Sequence, residues 1–191
     1  MNPNFTLYFS RIIGNKVLAK DNEPLGKLRD LVVDTSMKRP QVIAAVLQTE
    51  QTNLVVDFSS FSISKENGQY RIVCRKVKEI EIETESEQNL FLQKYVIDKQ
   101  IVDMFGRKVV RVNDLRFVVL STGAYLLAVD VGMEGLLRRI GIAKPIQKVL
   151  KLFNLTIPGK LILWDDVETF NYSSLDLQLS RPYTKLRTMH P

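Results

Sequence analysis

Residues 26–34 read GKLRDLVVD, and a related stretch returns at residues 106–118 as GRKVVRVNDLRFV. In each half, a second apolar run follows, at residues 42–47 and 125–129, and a third closes the half, at residues 54–61 and 161–170. Apolar runs of this length, separated by turn residues, are typical of β-strands. Their shared order predicts two copies of one small β unit.

The composition is that of a globular protein with room for two small domains. The 191 residues are 45% hydrophobic and 25% charged, which argues against extensive disorder. Two domains of roughly 80 residues each can bury their own cores. The net charge of +6 is compatible with binding to RNA or to an anionic membrane surface. The basic residues are scattered, however, and we favour a solvated face for the nearest approach to a cluster, at Arg138, Arg139, Lys144, Lys148 and Lys151.

The single cysteine, Cys74, rules out an internal disulfide and a cysteine metal site. A reducing, cytoplasmic location fits this count. The first residues lack the basic start and apolar core of a signal peptide, and no apolar stretch approaches the length of a membrane span. We therefore expect a soluble chain without a transmembrane segment.

Turn residues divide the first half into an antiparallel meander. Residues 17–19, 28–34, 41–48 and 54–63 are predicted strands, and residues 21–26 and 37–40 supply the turns between the first three. Asn67-Gly68 predicts a hairpin turn between two further alternating stretches.

Residues 76–87 alternate glutamates with apolar residues and mark the predicted domain boundary. Glutamates at every second position from Glu79 to Glu87 share one face, and Ile80 and Ile82 lie on the opposite face. Carboxylates on one face of a strand stand about 7 Å apart, too far for several to share one ion without a bend. We favour a solvated strand end or linker over a metal site.

The second repeat begins near Leu90 and carries an insertion of about thirty residues between its second and third apolar runs. Residues 134–140 predict a helix that ends at Gly141, and residues 145–153 predict a second helix with Pro145 in its first turn. The second helix has an apolar stripe, Ile146, Val149, Leu150 and Phe153. Packing of this stripe on the parent domain is favoured over a partner-binding helix.

Catalytic chemistry has little support in the sequence. The one histidine, His190, stands beside the C-terminus, so no Ser-His-Asp, Cys-His or histidine metal arrangement can form on a rigid element. Trp164 is predicted to lie in the core or an interface rather than to stack on a base. The acids considered for acid-base work are Asp98, Asp103, Asp114, Asp130, Asp165 and Asp166, for which capping of backbone amides is favoured. We expect no enzyme activity, no cofactor and no metal in this chain.

Both halves resemble PRC-barrel domains, the small β-barrels of the photosynthetic reaction-centre H subunit and of a ribosome-maturation factor. In the second half, the motifs that carry the resemblance occur in order at residues 98–103, 106, 109–114, 129–132 and 135–141. This set resembles the N-terminal region of bacterial MgtE-related proteins, in which PRC-barrels precede an MgtE N-terminal helical domain and CBS domains. The resemblance spans residues 9–191 and implies a mainly β chain of two tandem small antiparallel β-barrels.

The end of the chain extends this resemblance. Residues 186–191, LRTMHP, are similar to the linker and first residues of the MgtE N-terminal domain. We therefore expect the chain to be a piece of a longer protein. The expected organisation is a first barrel at residues 1–84, a second at 85–175 with its helical insertion at about 133–154, and a linker at 176–191 toward a missing downstream domain.

This organisation leads to a functional hypothesis. The resemblance implies a non-catalytic regulatory or adaptor module of an MgtE/CBS-type protein linked to magnesium or other divalent-cation transport or sensing. Its partners would be the downstream MgtE N-terminal and CBS domains, another protein or a second copy, at the inner face of the membrane through the missing domains. The candidate partner-binding residues lie in the insertion and are Leu136, Arg138, Arg139, Lys148 and Lys151. The alternatives are an RNA- or ribosome-associated PRC-barrel protein and an enzyme that uses the scattered aspartates.

Overall fold

The computed structural model of the chain describes residues 5–37, 39–83, 86, 88–103, 108–141 and 160–164. The first half, up to the alternating glutamates, consists of strands joined by turns and two short 3₁₀ turns, at Phe9–Arg11 and Phe58–Ser60. Its strands are β1 (Phe5–Tyr8), β2 (Lys16–Ala19), β3 (Pro24–Asp34), β4 (Gln41–Gln48), β5 (Asn53–Asp57), β6 (Phe61–Glu66) and β7 (Gln69–Cys74).

The second half repeats part of this order, with a short helix in place of the first 3₁₀ turn, and adds a second short helix after β12. Its elements are β8 (Asn89–Phe91), α1 (Leu92–Tyr95), β9 (Gln100–Asp103), β10 (Lys108–Arg111), β11 (Asp114–Leu120), β12 (Gly123–Asp130), α2 (Met133–Arg139) and β13 (Leu161–Leu163). The predicted helix over residues 134–140 is therefore confirmed. The predicted helix over residues 145–153 lies outside the described residues.

Most of the described strands belong to one curled sheet that forms a half-barrel. Its main path runs β1-β11-β12-β4-β3-β2-β7-β6, with β13 beside β12, β5 beside β4 and β8 beside β3. The strands β9 and β10 form a separate hairpin. The two ends of the path approach one another, because the ring of Phe5 in β1 stacks on Tyr70 in β7 with centroids 6.3 Å apart. The chain is thus mainly β, as the sequence predicted.

The central hairpins of the two halves have the same register. Asp30 pairs with Val46 across β3 and β4, and Asp114 pairs with Asp130 across β11 and β12. Each hairpin has a register shift two residues later, after Val32 in the first half and after Arg116 in the second. The structural equivalence thus follows the shared Asp-Leu pair of the two repeats.

The two halves exchange their first strands. β1 belongs to the first half but pairs with β11, and β8 belongs to the second half but pairs with β3. Strand pairs therefore cross the domain boundary that was predicted at residues 84 and 85.

The halves also share one hydrophobic core. Buried side chains from both halves pack in a single cluster, including Leu31, Val33, Leu115, Phe117 and the sequence-predicted core residue Trp164. Because their contacts are mutual, neither half buries its apolar surface alone.

Two local predictions for the first half had different outcomes. The Asn67-Gly68 hairpin turn is confirmed, since both residues have the positive φ, 50° and 82°, that this turn requires. The continuous strand predicted over residues 54–63 is wrong. A 3₁₀ turn interrupts it, because the Asp57 carboxylate accepts a 2.9 Å hydrogen bond from the Ser59 N–H and starts the turn.

The described part of the alternating stretch, residues 76–83, contacts a second apolar cluster. Ile80 and Ile82 pack against the cluster formed by Val32, Ala44, Val46 and Phe91. The described glutamates of this segment, Glu79, Glu81 and Glu83, are exposed. The segment is therefore a linker with one solvated face and one packed face.

Candidate functional site

The candidate site is built around α2, the described part of the predicted insertion. The helix begins after Gly132 and ends before Gly141, whose φ of +79° favours glycine. Gly135 lies against β12, and a Cβ atom at this position would stand 2.6 Å from the Asp130 carboxyl carbon. Only glycine allows the helix to approach the strand this closely.

The contact between α2 and the sheet is a buried ion-pair cluster. The Arg138 Nη1 atom lies 3.2 Å from the Asp114 Oδ2 and 3.2 Å from the Asp130 Oδ2 atom. The side chains of Asp114, Asp130 and Arg138 are 0%, 3% and 7% exposed. The Oε1 atom of Glu134, one turn earlier in the helix, lies 3.5 Å from the Arg138 Nη2 atom. We call Asp114, Asp130 and Arg138 the arginine cluster.

Two residues of the first half, Tyr8 at the end of β1 and Ser10 in the turn after it, complete the arginine cluster. The ring of Tyr8 covers the guanidinium of Arg138 at 3.5 Å from ring centroid to Cζ, a cation-π contact. Ser10 donates two hydrogen bonds to the Asp114 carboxylate, one from its N–H at 3.0 Å and one from its hydroxyl at 2.6 Å. The cluster thus joins β1, β11, β12 and α2 at one point.

Burial and charge act against each other in this cluster. Burial raises the pKa of Asp130, and the neighbouring Asp114 raises it further, although hydrogen bonds from Gly132 and Arg138 lower it. Burial lowers the pKa of Arg138, but Tyr8 and the two carboxylates outweigh this effect and raise it. The guanidinium therefore stays charged and offsets the cost of burying the acids.

The geometry of the arginine cluster suits a structural contact between α2 and the sheet rather than catalysis. Both carboxylates are buried, and each one binds Arg138 and at least one backbone N–H group. A substrate would reach them only if α2 moved away from the sheet. The arrangement holds the helix at a fixed position on the sheet.

The outer side of this region is apolar. Met133 and Ile140, at the two ends of α2, are 53% and 55% exposed. Leu161 and Leu163 of β13 are 42% and 53% exposed, whereas Ile162 between them is buried. Leu161 lies opposite Asp130, so it points to the sheet face that α2 covers. We call Met133, Ile140, Leu161 and Leu163 the α2–β13 face.

The predicted partner-binding residues have different environments. Leu136 is half-buried, and Arg138 is buried in the arginine cluster, so its guanidinium is turned away from solvent. Arg139 is also half-buried, and its Nη2 atom lies 2.9 Å from the Asp98 Oδ1 atom. Lys148 and Lys151 lie outside the described residues.

A second ion-pair group fixes the C-terminal end of α2. Asp98 accepts hydrogen bonds from Arg111 at 2.7 Å and from Arg139 at 2.9 Å. Although burial raises the pKa of Asp98, the two guanidinium groups outweigh it and lower the pKa. This aspartate and Asp103, which binds Lys160, thus take part in ion pairs. The other two candidate acids, Asp165 and Asp166, lie outside the described residues.

Sequence reasoning did not find the contributions of Tyr8 and Ser10. Tyr8 contacts Arg138 and Ser10 binds Asp114, each more than a hundred positions later in the chain, and Ser10 and Asp114 are 104 positions apart. Asp114 and Asp130 were among the acids expected to cap backbone amides, and their bonds to the Leu115 and Gly132 N–H groups agree with this. The residues that neighbour Asp114 and Arg138 in the sequence give no indication of the distant partners Ser10 and Tyr8.

A cleft of about 660 Å³ lies where the first half faces the turn between β11 and β12. Phe58 and Phe61, which stack with centroids 5.3 Å apart, contribute to one wall. Val119 and Thr122 line the cleft from the second half, and Arg75 is also among its lining residues. The acid of the cleft, Asp57, is held by Lys78 at 2.9 Å, which lowers the pKa of Asp57 to about 2.

The part of the chain that the structure describes contains neither a group of metal-binding side chains nor a membrane-spanning helix. Within it, no group of three His, Cys, Asp or Glu side chains is placed to hold a metal ion. Within the same residues, no helix is long and apolar enough to span a membrane.

Comparison of the chain with protein-family models gave no match, and comparison with curated proteins also gave none. The PRC-barrel and MgtE resemblance therefore depends on the motifs of the sequence alone.

Proposed function

We propose that the chain is a non-catalytic adaptor or regulatory module that binds another protein domain through the α2–β13 face. In this proposal the two halves are tandem PRC-barrel-like units, located in the cytoplasm. The domain recognised is an MgtE N-terminal domain with its CBS domains, in a protein that handles magnesium or another divalent cation.

One observation carries the proposal. The two arginines of α2 are directed to the arginine cluster and to Asp98, while Met133 at its start and Ile140 just after its end are apolar and exposed. A fixed apolar surface of this kind is typical of recognition sites, because it loses no internal contact when a partner covers it. The ion pairs keep the helix in one position, which reduces the entropy lost on binding.

The test is calorimetric titration of the purified chain with a purified protein that comprises an MgtE N-terminal domain and CBS domains. We expect Ile140→Asp to raise the dissociation constant about tenfold or more, since a charge would be buried in an apolar contact. The matched control is Met37→Asp, because Met37 is 62% exposed in the first half, and it should leave the constant unchanged.

Two results would contradict the proposal. One is the absence of binding by the unaltered chain, and the other is equal affinity of the Ile140→Asp and Met37→Asp variants. Binding of the chain to RNA with an affinity that falls steeply with salt would replace it by the RNA-associated alternative. Self-association that depends on Ile140 would identify a second copy as the partner.

A further inference from the structure

The exchange of first strands follows the same geometry in both directions. β1 pairs with β11 from Phe5 opposite Val119 to Tyr8 opposite Arg116, and β8 pairs with β3 through three residues. Each donated strand continues directly into a short helical turn, Phe9–Arg11 after β1 and Leu92–Tyr95 after β8. We call β1 with its turn and β8 with its turn the donor segments.

Each donor segment ends on a buried aspartate of the other half. Asp30 accepts hydrogen bonds from the Gln93 N–H at 2.7 Å and the Lys94 N–H at 3.2 Å. Asp114 accepts the Ser10 N–H at 3.0 Å and the Ser10 hydroxyl at 2.6 Å. Each aspartate also binds the N–H of the next residue in its own strand. In each half, the strand edge pairs with the donated strand, and the carboxylate accepts hydrogen bonds from the helical turn that follows this strand.

The donor segments also fill the core of the half that receives them. Leu7 and Phe9 of the first segment are 2% and 1% exposed, and the Phe9 ring lies 6.2 Å from that of Phe117 in β11. Leu90 and Leu92 of the second segment are 1% and 0% exposed. Removal of a donor segment would leave a hole in the core and an open strand edge.

The symmetry is visible where the two halves meet. Gln41 in β4 pairs with Tyr125 in β12. Gln41 lies opposite Asp34, four residues after Asp30, and Tyr125 lies opposite Val118, four residues after Asp114. Two equivalent positions that pair with each other mark a local twofold axis, the arrangement of an isologous dimer.

We propose that the edges of β3 and β11, with Asp30 and Asp114, are reciprocal binding surfaces, and that each half holds the donor segment of the other without need of a covalent link. The partner that each surface fits is a short apolar strand that runs into a helical turn with free backbone N–H groups. The chain is thus a dimer of halves joined in one polypeptide.

The test is to sever the full chain after it has folded. A specific protease site placed between Glu83 and Gln88 is cut in the purified protein, and the product is studied by size-exclusion chromatography with light scattering at micromolar concentration. We expect both fragments to elute together with the mass of the intact chain, and to separate only in denaturant. Fragments that elute separately, or that precipitate on cleavage, would overturn the proposal.

A pair of serine variants tests the acceptor geometry. Ser10→Ala removes the hydroxyl bond to Asp114, whereas Ser62→Ala removes a hydroxyl bond to the Val73 carbonyl within the first half. From a dilution series followed by sedimentation, we expect Ser10→Ala to raise the dissociation constant of the fragments about tenfold, the effect of losing one hydrogen bond to a charged group, and Ser62→Ala to leave it unchanged. Circular dichroism of the uncut variants confirms their folding. Equal constants for the two variants would contradict the proposed role of Asp114.

Discussion

Asp30 in β3 and Asp114 in β11 are equivalent residues, and each one binds backbone N–H groups that the other half of the chain donates. They differ in their further partners. Asp114 also binds the Ser10 hydroxyl and the Arg138 guanidinium, whereas within the described residues the hydrogen-bond donors to Asp30 are backbone N–H groups. Burial consequently raises the pKa of Asp30 to about 6, although the N–H groups of Gln93, Leu31 and Lys94 lower it.

Asp30 should make the stability of the protein depend on pH. The pKa of Asp30 is about 6 in the folded chain, against an ordinary value of 3.8. The folded form therefore takes up a proton at Asp30 more readily than the unfolded form does. The stabilisation of the folded form by protonation of Asp30 is fully present below pH 3.8 and is lost as the pH rises through about 6. By urea unfolding, we expect this group to lower the free energy of unfolding by on the order of 1–3 kcal/mol between pH 4.5 and pH 7.5, two pH values chosen to span about 6.

The variant Asp30→Asn should remove this part of the pH dependence, because an amide does not titrate. Asp21→Asn is the control, since Asp21 is an exposed residue of the turn between β2 and β3. If Asp30→Asn kept the slope of the unaltered protein, the assignment to Asp30 would be wrong.

Gly135→Ala should destabilise the protein, although alanine normally favours a helix. The alanine Cβ would stand 2.6 Å from the Asp130 carboxyl carbon, so α2 has to move away from β12. We expect a loss of about 2 kcal/mol or more in the free energy of unfolding, against the usual gain of about 1 kcal/mol for this exchange in a helix. Met133→Ala, at an exposed position of the same helix, should change the value by less than about 0.5 kcal/mol. A stabilised Gly135→Ala variant would show that the helix does not press on Asp130.

Arg138→Met should cost about 3–5 kcal/mol in the free energy of unfolding, because it leaves two buried carboxylates without their cation. The loss should be smaller at pH 5 than at pH 7.5, since burial raises the pKa of Asp130 and this carboxyl group takes up a proton more readily at the lower pH. Chemical unfolding at the two pH values measures both effects. Arg139→Met, which breaks a partly exposed pair with Asp98, should cost less than about 1 kcal/mol. Equal losses for the two arginines would contradict the buried role of Arg138.

Substitutions in the linker should lower the free energy of unfolding on its packed face only. Ile82→Ser removes packing against the second apolar cluster and should lower the free energy of unfolding by about 1–2 kcal/mol. The neighbouring Glu81→Ser lies on the exposed face and should change it by less than about 0.5 kcal/mol. Thermal unfolding of the two variants side by side decides the point. Similar melting temperatures for both would mean that the isoleucines contribute no packing.

Features encoded in neighbouring residues were predictable from the sequence. The strand over Gln41–Gln48, the Asn67-Gly68 turn and the helix that ends before Gly141 follow from apolar periodicity and from residues that accept positive φ. The alternation of Ile80 and Ile82 with glutamates likewise indicated which side of the linker is solvated.

The pairing of distant segments was not predictable in this way. Nothing in the stretch from Phe5 to Tyr8 indicates that its strand joins β11 rather than a neighbour in its own half. The inward direction of Arg138 depends on Asp114 and Asp130 meeting across a hairpin, and on Tyr8 arriving from the other half. Such contacts arise from the tertiary fold, and a single sequence shows only their residue types.

The long separation of Ser10 and Asp114, 104 positions, has a consequence for biosynthesis. A ribosome adds about 5–20 residues per second, so roughly 5–20 s pass between the making of Ser10 and the making of Asp114. Throughout that interval the nascent chain carries Leu7 and Phe9 without the strand that covers them. β1 therefore waits for a strand that is made later, and translation speed sets how long this apolar segment is accessible to chaperones and to other nascent chains.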